Sequence, residues 1–420
     1  MPQKVIIFDA TLFVNAYETQ LFRTGLYRVS EQLLKQLLQS EKYDIWLYDT
    51  MGRERIMRQQ IMPHYPQTHL LSTDSSAYRV LTDRPLLWAD KMRKRQMAAR
   101  HIATKTLCKF AKNALRIYAK TVSLCCPKKN IMVPPGARYL ATYYPVPEWV
   151  HRREVRVTLI VHDLIPLIHP EWFPNEANKH TITSIINSLL PTDRVVCVSA
   201  STRRDFLSFR SGFPAEHTCV AYLAAADVFV PTAMSGALRG RLGVKDKYIL
   251  SVCTIEPRKN LETVIAAYSM LLQSQTNVPQ LVLTGAMGWK NTELLQRIKD
   301  LQTQYPDKII LTGYAGDTEL AQLYSSASVF VYPSLYEGFG LPPLEAMQCG
   351  CPVITSNVSS LPEVVGNAGI TIEPTDASAL AEAILQLLNG NREQQKQQAI
   401  SRAKTFSWQR MASIVELTID

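Results

Sequence analysis

Tyr248-Ile-Leu-Ser-Val-Cys-Thr-Ile-Glu-Pro-Arg-Lys-Asn260 begins with five residues that read as a buried strand, and residues 261–273 follow with apolar positions at helical spacing. A second short apolar strand comes at 280–284. A strand, a helix and a strand in so short a space imply parallel strands, because the helix carries the chain back along the sheet. The same alternation continues downstream. Helices are expected at 292–304, 317–327, 376–388 and 408–418, and strands at 308–312, 329–332, 352–355 and 370–372, with a Gly/Pro loop and a helix ending near Cys349 between the middle two strands. Upstream, strands are expected at 5–9, 44–48, 155–161 and 194–198, with a helix over 25–39. The reading is an α/β protein with two doubly wound parallel sheets, each covered on both faces. The sheets join near 225–247, where Pro231, Gly236, Gly240 and Gly243 suggest a linker. The expected domains are 1–225, 226–405 and a closing segment 406–420.

The chain has 420 residues, 46% hydrophobic and 20% charged, which is enough to bury sizeable cores and excludes general disorder. The start lacks the apolar stretch of a signal peptide, and no apolar run reaches the roughly 20 residues of a spanning helix, so a cytosolic protein is expected. The eight cysteines (108, 125, 126, 197, 219, 253, 349, 351) fit no zinc spacing and read as free thiols. The net charge of +10 is concentrated: residues 51–130 hold 17 Lys/Arg against 4 Asp/Glu. Within this insert, Lys105, Lys109, Lys112, Arg116 and Lys120 mark one face of a helix, with Leu107, Phe110, Ala114, Tyr118 and Val122 nearer the other. Such a helix either packs its apolar side on its own domain or rests on anionic lipid headgroups, with 91–120 as the contact. No aromatic-interleaved or zinc-finger pattern accompanies the charge, so nucleic acid is not expected as a partner.

Doubly wound sheets bind ligands beyond the carboxyl ends of their strands, which directs attention to four loops. Arg258 and Lys259 precede the helix that Asn260 is expected to cap. Cations are disfavoured at a helix amino end, so two adjacent ones imply an anion between them, and a diphosphate suits. The bland alternative is an exposed charge pair. In Glu337-Gly-Phe-Gly-Leu-Pro-Pro-Leu-Glu345, the glycines allow close backbone approach and a proline fits the first helical turn. Free amides of Phe339, Gly340 and Leu341 would face a ligand, while Glu337 and Glu345 could accept from sugar hydroxyls. His162-Asp163 closes an alternating strand at its carboxyl end, and Thr24-Gly25, with Arg28 nearby, could approach from the other domain. Each of these residues also has a plain structural reading as a core histidine, a helix-start glycine or an acid in a first turn.

With these motifs in view, the chain resembles the retaining glycosyltransferases of family 4, glycosyl transferases group 1, which have the GT-B fold. The resemblance runs from the first strand to about residue 418 and is strongest over 248–372. It rests on the Glu-x7-Glu signature Glu337…Glu345, on Thr254-Ile-Glu-Pro-Arg-Lys-Asn260, Thr312-Gly-Tyr-Ala-Gly-Asp317, Phe330-Val-Tyr-Pro-Ser334 and His162-Asp-Leu-Ile-Pro166. The nearest branch is bacterial mannosyltransferases of lipopolysaccharide and exopolysaccharide assembly. The resemblance implies two Rossmann-like domains facing a cleft and a final helix, with Phe406 and Trp408, crossing back to the first. It implies that Glu345 binds the nucleotide ribose, Glu337 contacts the donor sugar, and Arg258 and Lys259 hold the diphosphate. Phe339 to Leu341 would hold sugar or phosphate, and Tyr314 and Ala315 would bracket the base. Thr254 and Gly25 fall on the donor side, and Thr24, Arg28 and Asp163 on the acceptor side. Many members have an additional arginine where Cys253-Thr254 stands here, which shifts phosphate load to Arg258.

The implied reaction is retaining transfer of a hexose, with GDP-mannose the first choice of donor, to a saccharide or lipid-linked saccharide acceptor. Rhamnosyl or glucosyl transfer from a dTDP- or UDP-sugar comes next, and a non-catalytic sugar-binding scaffold at a membrane surface is the alternative of another class. Arg258, Lys259, Glu337 and His162 would carry catalysis. No metal or other cofactor is expected, since cations already face the phosphates and no Asp-x-Asp pair occurs. An NAD-dependent oxidoreductase is disfavoured because Thr284-Gly-Ala-Met-Gly288 lacks the G-x-G-x-x-G spacing.

Overall fold

A computed structural model describes residues 3–19, 25–72, 92, 106, 109–111, 113–115, 117–118, 131–274 and 277–420. Thr24 and most of the basic segment therefore lie outside the described residues. The chain forms two compact units, 1–156 and 157–420, and two all-parallel sheets, of seven and six strands.

The first unit carries β1 (Lys4–Asp9), β2 (Tyr43–Tyr48), β3 (His69–Leu70) and β4 (Arg138–Ala141). They pair in the order β3-β2-β1-β4, all parallel. Helix α1 (Gly25–Gln39) begins at the expected glycine and buries Val29, Leu33, Leu34 and Leu37 along one stripe. The positions described between 91 and 120 are helical. There Phe110 and Ile117 are 71% and 66% exposed.

The second unit begins with β5 (Arg156–Val161), β6 (Arg194–Cys197) and β7 (Thr218–Val220), paired in that order. Helix α2 (Ala200–Phe209) follows β6, with Ser199 as its cap. The stretch expected as a linker contains a helix, Gly236–Leu242. Ser235 Oγ accepts from the Leu238 amide, and Gly243, at φ 68°, ends it in the left-handed conformation that glycine adopts without cost.

Six strands make the second sheet: β8 (Tyr248–Val252), β9 (Gln280–Thr284), β10 (Ile309–Gly313), β11 (Val329–Tyr332), β12 (Val353–Ser356) and β13 (Ile370–Ile372). Their order is β10-β9-β8-β11-β12-β13. Strand order reverses between β8 and β11, so the loops leaving those two strands diverge and open a crevice. Helices α3 (Leu261–Ser274), α4 (Leu341–Gln348) and α5 (Leu361–Val365) follow β8, β11 and β12. The core on one side of this sheet joins Ile249, Leu281, Val329, Val331 and Ile354 to Val264, Tyr268 and Leu271 of α3. The last helix, α6 (Trp408–Ile419), packs on β6. Its Trp408 indole donates to Ala225 O at 3.1 Å, and Thr418 Oγ1 lies 3.3 Å from Cys219 Sγ.

Candidate active site

Both loops at the β8/β11 crevice carry the residues singled out from sequence. After β8, Pro257–Lys259 makes one tight turn. Asn260 then takes a left-handed conformation, φ 55°. It does more than begin the helix: its Nδ2 donates to Pro333 O at 2.9 Å and Pro374 O at 2.6 Å, while Thr263 Oγ1 donates to its Oδ1 at 2.9 Å. The side chain thus ties the β8 loop to the loops after β11 and β13.

The anion required between Arg258 and Lys259 is, within the protein, the Glu337 carboxylate. Arg258 Nη1 lies 2.7 Å from Glu337 Oε2, and Lys259 Nζ lies 2.5 Å from Oε1. Tyr332 and Ser334 hydroxyls donate to the same Oε1 at 2.9 and 2.6 Å. Arg258 also bonds Glu256 Oε1 at 2.8 Å and Tyr336 O at 3.0 Å, and Lys259 bonds the Tyr332 hydroxyl at 2.6 Å. All three charged side chains are at most 16% exposed, so each charge depends on the others. Burial alone would raise the Glu337 pKa, but Arg258 and then Lys259 outweigh it and hold the carboxyl at about 2. Burial and then the Arg258 charge push Lys259 below the usual lysine range.

The turn between Glu337 and α4 is as compact as its glycines suggested. Gly338 lies so close to the end of β5 that a Cβ there would sit 2.2 Å from His162 O. Gly340, at φ 116°, caps α4 in a conformation that side chains rarely adopt. Among the described residues, no acceptor is found for the amides of Phe339, Gly340 and Leu341. Pro342 and Pro343 occupy the first turn of α4, where no N–H is needed. Glu345 falls in the second turn of α4, 5% exposed, with the Tyr324 hydroxyl 3.3 Å from its Oε2.

Asp163 is half-buried, with Oδ1 accepting from the Ile165 amide at 3.1 Å. Burial raises its pKa, opposed by the positive charge of Arg258. The second unit thus gathers His162, Asp163, Arg258, Lys259, Glu337 and Phe339 in one neighbourhood. Thr254 flanks Gly288, whose Cβ would meet Thr254 Cγ2 at 2.9 Å. Tyr314 is 65% exposed just past β10, while Ala315 is buried. Gly25 and Arg28 lie on α1 of the first unit. The Gly285–Gly288 pair has a packing role: a Cβ on Gly285 would lie 1.9 Å from Cys253 O, so the backbones of β8 and β9 meet there.

Sequence reasoning gave no role to Glu256, Tyr332, Ser334, Ser359, Ser360, Ser199, Thr202 or Glu363, all of which support this cluster. Glu256, Tyr332 and Ser334 lay within recognised motifs. The others are residue types found on any surface. Among the described residues, no group of three or more His, Cys, Asp or Glu is arranged to hold a metal ion, and no helix is long and apolar enough to cross a membrane.

A family profile for "Glycosyl transferases group 1" matches residues 239–405, which contain both loops. The O-antigen chain mannosyltransferase B of Escherichia coli is 36% identical over 266 residues, covering 62% of this chain and 68% of that protein. The serotype-specific mannosyltransferase WbdA of Escherichia coli is 30% identical over 272 residues, 63% of this chain but 33% of that longer protein. Among solved structures, sucrose-phosphate synthase from Thermosynechococcus elongatus superposes with a TM-score of 0.61 at 18% identity, covering 99% of this chain and 98% of its own.

Proposed function

Since the chain belongs to the glycosyl transferases group 1 and has their GT-B fold, we propose that it moves a mannosyl residue from GDP-mannose to a hydroxyl of a saccharide or lipid-linked saccharide acceptor, retaining the anomeric configuration. One observation carries the chemistry: two buried cations share one carboxylate beside a turn whose amides have no acceptor among the described residues. The mannosyl choice is supported by the similarity to O-antigen mannosyltransferases.

In this reading the bond from the anomeric carbon to the diphosphate oxygen breaks first, leaving an oxocarbenium-like centre. Negative charge grows on the departing phosphate, where Arg258, Lys259 and the Phe339–Leu341 amides receive it. Each such preorganised donor supplies on the order of 3–4 kcal/mol. The acceptor oxygen attacks from the face the phosphate leaves, and that phosphate takes its proton. Glu337 keeps the two cations together and accepts from a donor-sugar hydroxyl. His162 and Asp163 orient sugar or acceptor, Glu345 takes the ribose hydroxyls, and Tyr314 and Ala315 flank the base. No metal is needed in this scheme.

A thermal-shift panel of GDP, UDP, dTDP and ADP tests the donor. Selective stabilisation by GDP is expected. A shift with UDP or dTDP alone would move the assignment to glucosyl- or rhamnosyl-type transfer, and binding without turnover or hydrolysis would leave a sugar-binding scaffold. The basic segment supports a peripheral contact with anionic lipid, which predicts salt-sensitive binding to anionic vesicles. Indifference to lipid charge would remove that part of the proposal.

A further inference from the structure

Four hydroxyls hold the backbone of the turn between Glu337 and α4. Ser359 Oγ accepts from the Glu337 amide at 2.9 Å. Ser360 Oγ lies 3.0 Å from Glu337 O and 2.7 Å from Phe339 O. From the other side, Ser199 Oγ and Thr202 Oγ1 reach Gly338 O at 2.7 and 3.0 Å. In a planar trans peptide the C=O of one residue and the N–H of the next point in opposite directions. A hydroxyl on Gly338 O therefore sets the direction of the Phe339 N–H, and one on Phe339 O sets that of the Gly340 N–H. These are two of the amides without an acceptor among the described residues. The turn is aimed from behind.

Ser199 and Thr202 belong to the amino end of α2, and a distant segment fixes that end. Glu363, on α5, accepts from the Ala200 amide through Oε2 at 2.7 Å and from the Ser201 amide through Oε1 at 2.8 Å. Ser199 Oγ accepts from the Thr202 amide at 2.9 Å. A carboxylate at a helix amino end is favoured by the macrodipole, and here it satisfies two first-turn donors at once. Residues 359–363 thus grip the catalytic turn directly, and also grip the helix whose hydroxyls hold the turn from the opposite side. Gly338 leaves no slack, because its Cα lies against His162 O.

We propose that Glu363, Ser199 and Thr202 are positioning residues that aim the Phe339 and Gly340 amides at the leaving phosphate. This rests on the transfer reading above for its kinetic consequence, but the geometry can be probed without transfer. The experiment compares wild type with Glu363→Gln, which removes charge at constant shape, with Thr202→Val, which removes one hydroxyl, and with Thr202→Ser. Donor kcat and KM are measured, together with the amide shifts of Phe339 and Gly340 during titration with inorganic pyrophosphate.

Glu363→Gln and Thr202→Val are expected to lower kcat at least about tenfold while donor KM stays within about threefold. The pyrophosphate response of the two amides should shrink in both, and Thr202→Ser should restore both readouts. Wild-type kcat and amide response in both variants would overturn the proposal, as would a wild-type protein whose Phe339 and Gly340 amides ignore pyrophosphate. If the wild type responds to pyrophosphate yet transfers sugar from no donor, the transfer reading fails, and the amide comparison alone decides the positioning role.

Discussion

Lys259 Nζ and the Tyr332 hydroxyl converge on one oxygen of Glu337, at 2.5 and 2.9 Å, and bond to each other at 2.6 Å. The three groups form a closed triangle, and Arg258 holds the other carboxylate oxygen. Neither cation is free to move without disturbing the second.

Replacing Glu337 by Ala should therefore destabilise the protein more than replacing either cation. It leaves two buried positive charges side by side, with a cost of roughly 3–5 kcal/mol for breaking a buried pair. Lys259→Ala should unfold nearer the wild-type denaturant midpoint yet lower kcat by about 100-fold or more. Denaturant melts and steady-state rates on the two variants check this, and equal midpoints would contradict it.

The first unit should show a pH signature arising from Asp9. Its carboxyl closes β1, fully buried, with the Thr11 amide on Oδ1 at 3.0 Å and no partner on Oδ2 among the described residues. Burial raises its pKa to about 7, with the nearby Asp49 charge adding a smaller push. The folded protein holds this proton more tightly than the unfolded chain. Asp9's contribution to stability is thus complete below about 4 and is lost as pH rises through about 7. Asp9→Asn should raise the melting temperature at pH 8 and change it little at pH 4. The same gain at both pH values would show that Asp9 does not hold its proton.

Glu345→Gln keeps the shape of the second acid but weakens its acceptance from vicinal hydroxyls. Donor KM should rise about tenfold or more, as expected for removal of a charged hydrogen-bond acceptor. Melting should change little, because the Tyr324 hydroxyl can still bond an amide oxygen at that site. Nucleotide titration followed by calorimetry measures this, and unchanged affinity would place the ribose elsewhere.

Chelation should leave transfer intact. Arg258, Lys259 and the turn amides already meet the phosphate charge in the proposed mechanism, so activity in excess EDTA should match that in buffer. Loss of rate restored by added magnesium would require a metal in the reaction.

The second sheet was legible in sequence because its strands are short apolar runs between helices that carry their own stop signals. The expected strands at 329–332 and 370–372 coincide with β11 and β13. Strands β3, β4 and β7 were not foreseen. They have two to four residues and lie outside the regular strand–helix alternation that marked the equally short β11 and β13. The Glu337–Glu345 loop was legible because glycine, proline and paired acids are each unusual there for a physical reason. Asn260 was expected as a cap, but its side-chain amide answers two carbonyls about 73 and 114 residues away. Glu363 and Ser199 gave no signal, because a serine before a helix and a glutamate in a first turn are common everywhere. What distinguishes them is a partner distant in the chain.

That distant partnership limits how this enzyme could be recombined with its relatives. A chimera that exchanged the segment around α2 for another protein's would inherit a new pair of side chains facing Gly338 and a new helix terminus facing Glu363. Unless the graft brought hydroxyls at both positions and two open amides to meet the acid, the proposed positioning role predicts a recombinant that keeps Arg258, Lys259 and Glu337 and is still slow. Such a graft is therefore best made with residues 199–202 left native.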